Sequence, residues 1–156
     1  MKRAARIGIL VVAAAASLVL LARWANGLTN GPERTMEERV KKLPPCPDKP
    51  NCVCSSDVDA QHAIEPFPLT DPAHPLQAIS EAIRKTGGKI VQQETHYLRA
   101  EYRTPLLGFL DDVEFLADVE NGVLHVRSAS RVGYSDLGAN RARVERLRKE
   151  LAAAVR

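Results

Sequence analysis

The sequence predicts an α+β domain: an antiparallel sheet of about four strands packed against two helices, preceded by an N-terminal transmembrane or signal helix. Three observations predict it. An apolar run opens the chain, two pairs of strand-like segments occupy its middle, and segments of helical periodicity lie on either side of them. Strands grouped between helices argue for two layers and against a parallel doubly wound sheet, in which the two alternate. A chain of 156 residues leaves little for a second independent core.

The first element is the leader. Lys2, Arg3 and Arg6 precede Ile7 to Ala22, an unbroken run of apolar and small residues. That order of charge and apolar length is how a secretory signal or a signal anchor begins. As a helix the run is about 24 Å long, short against a hydrocarbon core of about 30 Å, and Ala4, Ala5, Trp24 and Ala25 extend it. Ala25-Asn26-Gly27 places small residues where a signal peptidase cuts, whereas Trp24 beside Arg23 suits an interfacial anchor. We take residues 1–25 as a signal anchor retained in the bacterial inner membrane, with the domain on the periplasmic side. The alternative is a cleaved signal peptide and secretion to the periplasm. Residues 26–45 read as a tether in which Met36, Val40 and Leu43 come together on an amphipathic turn or two, and residues 46–156 as the single domain.

Within the domain, Asp71-Pro72 offers a cap and a first-turn proline, Leu76, Ile79 and Ile83 recur at helical spacing, and Gly87-Gly88 stops the pattern. A helix is expected over 73–86. Strands follow at Ile90–Gln93 and Tyr97–Arg103, the second alternating Leu98, Ala100 and Tyr102 with Arg99, Glu101 and Arg103. Pro105–Leu110 is an apolar linker expected to close over the core.

Asn121-Gly122 marks the next hairpin. As a two-residue loop it sets Glu120 opposite Val123. Val113, Phe115, Ala117 and Val119 then share the core face with Leu124, Val126, Ser128 and Ser130. The other face carries Asp112, Glu114, Asp118 and Glu120 against His125, Arg127 and Arg131. Asp112 falls opposite Arg131, and Glu114 lies diagonally between Arg127 and Arg131. The last helix is expected from Leu137 to Ala154, capped by Ser135 or Asp136, with Asn140, Val144, Leu147 and Leu151 on one face.

Charge narrows the function. The net +3 comes entirely from Lys2, Arg3 and Arg6, since 22 basic residues less those three leave 19 against 19 acidic ones. A balanced domain lacks the electrostatic footprint of a nucleic-acid binder. Cys46 and Cys52 bracket a loop stiffened by Pro47 and Pro50, and we read them as a disulfide, which needs an oxidising compartment. The rival is a zinc site from Cys46, Cys52, Cys54 and His62, whose spacing matches no familiar closed pattern.

Three segments, Cys46-Pro-Asp-Lys-Pro-Asn-Cys52, Asp111-Asp-Val-Glu-Phe115 and the run Arg127–Arg143, together resemble, in order over residues 46 to about 150, the domain of unknown function 1499 family. The resemblance implies no activity and no cofactor. The family usually has a serine where this chain has Cys54. That departure leaves an odd thiol, the one an alkylating reagent would find, and leaves open which partner Cys52 takes.

The candidate site is Asp112, Glu114, Arg127, Ser128, Ser130, Arg131, Asp136, Asn140 and Arg141, a cluster at a strand-to-helix join that suits an anionic small molecule or an envelope protein. The competing reading is a salt-bridged sheet face and a hydrogen-bonded lock on the turn. A binding or envelope-assembly module is the first expectation, and a periplasmic hydrolase acting on an anionic substrate at the same cluster is the second. No catalytic residue can be assigned, because histidines at 62, 74, 96 and 125 support no Ser-His-Asp order. His62 and His125 are the two to watch. No metal site is expected: alternation sends Asp111 to the other face from Asp112 and Glu114, and Arg131 competes for those two.

Overall fold

The computed structural model describes residues 42–104 and 108–154, together with Ser17. The expected membrane helix, most of the tether and Pro105–Leu107 lie outside the described residues. Among those described, no helix is long and apolar enough to cross a membrane.

The elements in chain order are β1 (Cys52–Cys54), β2 (Phe67–Pro68), α1 (Gln77–Lys85), β3 (Lys89–Gln93), β4 (Tyr97–Arg103), β5 (Leu110–Asp118), β6 (Val123–Ser130) and α2 (Ala139–Ala154). They form one antiparallel sheet in the order β1-β6-β5-β4-β3, with β2 also paired to β6. The sheet has six strands where about four were expected. The extra two, Cys-Val-Cys and Phe-Pro, are too short to show alternation, and they exist because β6 offers its free edge to both.

Both helices cover one face. Ile79 and Ile83 of α1 and Val144 and Leu147 of α2 are buried against Leu98, Ala100, Val113, Phe115 and Val126 of the sheet. Each fully buried side chain of this size contributes about 1.5–3 kcal/mol. Phe67 meets Phe115 edge to face, with ring centroids 5.6 Å apart. The face that neither helix covers carries a smaller apolar cluster of Leu43, Cys54 and Tyr97, with Cys46 and Leu116 packed on it. Leu43 is only 2% exposed, so the packed part of the chain begins before Cys46.

Helix α1 starts four residues later than the cap signal suggested. Asp71 does accept the N–H groups of Ala73 and His74 (2.9 and 3.2 Å), but it closes a turn ahead of the helix. Pro75 disfavours helical geometry at His74, which delays the start to Gln77. The helix ends where glycine allows: Gly87 has φ +88°, and the N–H of Gly88 returns to the carbonyl of Ile83 at 2.9 Å.

The β5–β6 hairpin is displaced by two residues from the expected register. Asp118 pairs with Val123, Glu114 with Arg127 and Asp112 with Ala129, around a four-residue turn from Val119 to Gly122. The Asp118 carboxylate takes the Asn121 backbone N–H at 3.0 Å and its side-chain amide at 2.7 Å. This clamp holds the turn, and it leaves Val119 40% exposed instead of in the core. A shift of two keeps every side chain on its face but changes its partner.

Helix α2 begins at Ala139, not Leu137, because Leu137 (φ +54°) and Gly138 (φ +85°) are left-handed. Asp136 is the cap, accepting Gly138 N–H at 2.9 Å and Asn140 N–H at 2.8 Å.

Candidate functional site

The residues expected to form one cluster lie on opposite faces of the sheet. Alternation along β5 and β6 sends Asp112, Glu114, Arg127 and Arg131 to the open face, and Ser128 and Ser130 toward the helices.

On the open face the charges pair in rows across the strands. Arg131 grips Asp112 with two nitrogens (2.7 and 2.8 Å) and reaches Glu101 at 2.6 Å. Hydrogen bonding to Asp112, and secondarily to Glu101, holds its guanidinium even more firmly protonated than usual, despite the opposing effect of burial. Arg99 adds a longer contact to Asp112 at 3.5 Å. Glu114, 3% exposed, accepts from Arg127 at 3.1 Å and from the Tyr97 hydroxyl at 2.7 Å. Arg99, Arg127 and Arg131 thus stand beside Glu101, Asp112 and Glu114, three cations beside three anions. The lattice has no net charge to attract an anion.

Beneath α2 lies a second, internal network centred on Asn140, which is fully buried. Its side-chain carbonyl accepts from Ser128 at 2.7 Å and from Arg143. Its amide donates to Asp136 (2.7 Å), the Asn51 carbonyl (2.9 Å) and Ser130 (3.1 Å). Arg143 continues to Ser128 at 3.0 Å and to the buried carboxylate of Asp111, and its guanidinium lies 4.9 Å from the centre of the Tyr102 ring. Asp111 and Arg143 were absent from the expected site. The signal for them was present: Asp111 alternates onto the helix side, and Arg143 lies one turn from Asn140. Arg141 belongs to neither network, since it donates to the carbonyls of Gln61 (3.1 Å) and Ala63 (2.9 Å).

The internal network has an external consequence. It anchors the loop Gly133–Gly138, where Asn51 donates to the Gly133 carbonyl at 2.9 Å and Ser135 accepts Leu137 N–H at 3.2 Å. On this fixed loop Tyr134 is 71% exposed and Leu137 97%. The Asn51 side-chain oxygen beneath it is buried and has no hydrogen-bond partner.

The cysteines take the expected pairing: Cys46 and Cys52 form a disulfide, and Cys54 is free and buried. His62 bonds to the Cys52 carbonyl through Nδ1 at 3.0 Å, so the four-ligand zinc arrangement does not form. Among the described residues no group of three or more His, Cys, Asp or Glu is placed to hold a metal.

His125 does join a chain of polar groups. Its Nδ1 lies 3.2 Å from Ser55 Oγ, and its Nε2 lies 3.9 Å from Asp118. It lines a cavity of about 540 Å³ with His96, Asp118, Glu120 and Lys42. Ser55 does not line it, and its Oγ accepts the Val126 backbone N–H at 3.0 Å, continuing the β1–β6 pairing. A second cavity of about 480 Å³ opens between the helices. None of the candidate residues lines either one.

A comparison with curated proteins gives no match. The family model described as protein of unknown function, DUF1499, matches residues 42–151, covering the whole sheet and nearly all of α2, and the chain belongs to that family.

Proposed function

We propose that the protein is a membrane-tethered periplasmic module for binding or envelope assembly, and that its recognition element is the loop Gly133–Gly138. The observation that carries this reading is Leu137. It combines a left-handed backbone (φ +54°) with a side chain 97% exposed. A left-handed conformation costs a leucine about 1–2 kcal/mol, and an exposed side chain offsets none of it by burial. Asp136, Asn140 and Asn51 nonetheless fix the loop from below. A rigid display of apolar side chains lowers the ordering cost of association, and an exposed tyrosine is the type of residue that anchors protein interfaces. The polar residues act through the loop: they lock the turn, and the turn presents Tyr134 and Leu137. The balanced open face argues against an anionic small molecule as the ligand.

A photoreactive amino acid in place of Tyr134, irradiated in living cells, should give an adduct of discrete mass. The same amino acid at Glu145, on an exposed part of α2, should give none. The reading fails if position 134 yields no adduct, or the same adduct as position 145.

A hydrolase reading has one specific observation in its favour, and it lies away from the cluster where that activity was expected: the contact of Ser55 with His125 and of His125 with Asp118. It requires a serine alkoxide, formed by transfer of the Ser55 proton to His125, to attack an ester or amide carbonyl. A fluorophosphonate probe should then label Ser55 in the natural chain and not in His125→Asn. An unlabelled Ser55 leaves the His125 contact as part of strand pairing.

A further inference from the structure

The cavity of about 480 Å³ between α1, the last turns of α2 and the segment after β2 lies apart from the loop and the charged face. Its size falls in the ordinary range for small-molecule sites, about 300–1,000 Å³. Phe67, Leu69, Ile79, Leu124 and Leu151 make its walls apolar, while Ala78 and Ala152, both small, keep the space between the two helices open.

Its charged groups point to the sign of a ligand. Arg148 is the one Lys or Arg in the lining, and it is already committed to the protein. Its nitrogens donate to Glu145 (3.3 Å) and to the carbonyls of Pro66 (3.1 Å) and Glu65 (2.7 Å), and it lies over the Phe67 ring at 4.4 Å. The acidic lining residues are Asp71, itself hydrogen-bonded to Ala73 and His74, and Glu81, so two carboxylates stand against the one arginine. A hydrogen bond from His74, at 3.1 Å, is the main cause holding the Asp71 carboxyl below the usual carboxylate range, so it stays ionised. An apolar trough with carboxylates in its lining complements an apolar chain that ends in a cation.

We propose that this cavity binds an amphiphile with a single apolar chain and an amine head, the chain lying along Phe67, Ile79, Leu124 and Leu151 and the head at Asp71 and Glu81. The site uses none of the loop residues and does not depend on them.

Two diazirine-bearing probes of equal chain length, one an alkylamine and one a carboxylate, test it on the full chain in lipid nanodiscs. Peptide mapping separates labelling of the cavity from partition into lipid. The amine should label the segments 69–78 and 151–152 about tenfold more than the carboxylate, the ratio that about 1.4 kcal/mol of head-group discrimination produces. The double variant Asp71→Asn/Glu81→Gln should bring the amine down to the level of the carboxylate in a protein that still melts cooperatively, with at most a small loss of stability from the Asp71 turn. Ala78→Trp, or Ala152→Trp should the first fail to fold, should remove labelling by both probes. Equal labelling of the cavity by both heads, labelling of neither, or amine labelling unmoved by the charge-removing variant would overturn the proposal.

Discussion

At the scale of single residues, two side chains are held against their ordinary preferences, and each makes a prediction. Leu137 stands at a backbone angle that glycine adopts without strain. Leu137→Gly should therefore raise stability by up to about 1 kcal/mol, the relief of strain being partly cancelled by glycine's extra freedom in the unfolded chain. The same change should weaken the Tyr134 adduct in cells, so that melting temperature and partner capture move in opposite directions. A glycine variant that is less stable and still captures its partner would deny the loop its role. Cys54 is the second case. As an odd thiol it should react first, but it is fully buried, beside Leu43 and Tyr97, and desolvation pushes its thiol pKa up. A raised pKa means that the folded state keeps its proton longer than the unfolded state. This stabilising contribution is complete below the unfolded thiol value, about 8.5, and declines as pH rises above it. Alkylation at pH 8 without reductant should spare Cys54 in the native protein and modify it completely in urea. Rapid native labelling would show that the cover of Leu43 and Pro44 opens freely.

At the scale of elements, the α2 N-terminus and the β5–β6 turn depend on different carboxylates. Asn140→Ala removes the acceptor of the buried Ser128 hydroxyl proton and one of the two donors to the Asn51 carbonyl, which keeps the Ser130 N–H at 3.0 Å, and should cost about 1–3 kcal/mol in urea unfolding. A cost below that would mean that Arg143 and water replace the amide. Asp118 clamps an exposed turn, and its carboxyl is depressed mainly by the Asn121 side-chain hydrogen bond. Its contribution is complete above the unfolded carboxylate value, about 3.9, and is lost as pH falls through the lower folded value. The Asn121 amide resonance should therefore titrate with a midpoint below that of an ordinary aspartate, and the transition should vanish in Asp118→Asn. The same turn shows what the sequence could and could not reveal. Alternation in Val113–Ala117 and Leu124–Ser130 was strong enough to assign both faces. The register depended on a side-chain clamp that extends the Asn121-Gly122 signal to four residues, and no periodicity reports that. The spacing of Ile79 and Ile83 revealed α1, yet Pro75 moved its start. β1 and β2 were illegible because they exist only as partners of β6.

At the scale of the whole molecule, the sheet divides the polar residues into two systems: alternation assigned their faces, whereas it could not show that Asn51, Asp111 and Arg143, which come from separate segments, are the partners that meet there. Arg127-Ser128-Ala129-Ser130-Arg131 is continuous in sequence, but consecutive residues of a strand face opposite ways. The arginines join the open-face lattice while the serines enter the Asn140 network. The fold also separates the arrival of the chain from the proposed recognition loop. Lys42 and Leu43 line the cavity beside the β5–β6 turn, whereas Gly133–Gly138 follows the opposite end of β6, about 27 Å away for eight residues of strand. A domain held by its N-terminal tether would thus present Tyr134 and Leu137 at the end remote from its attachment, which favours a periplasmic partner over the bilayer beneath it. The leader decides whether that geometry operates in the cell. A phosphatase that is active only in the periplasm, joined after residue 45, should be active, and an inactive fusion paired with an active cytoplasmic reporter at the same joint would reverse the topology. The intact mass of the mature chain should retain residues 1–27, and the Tyr134 adduct should then sediment with membranes. A mature N-terminus at Leu28 would release the domain from any membrane reference and remove the separation of the two ends as an argument for what the loop meets.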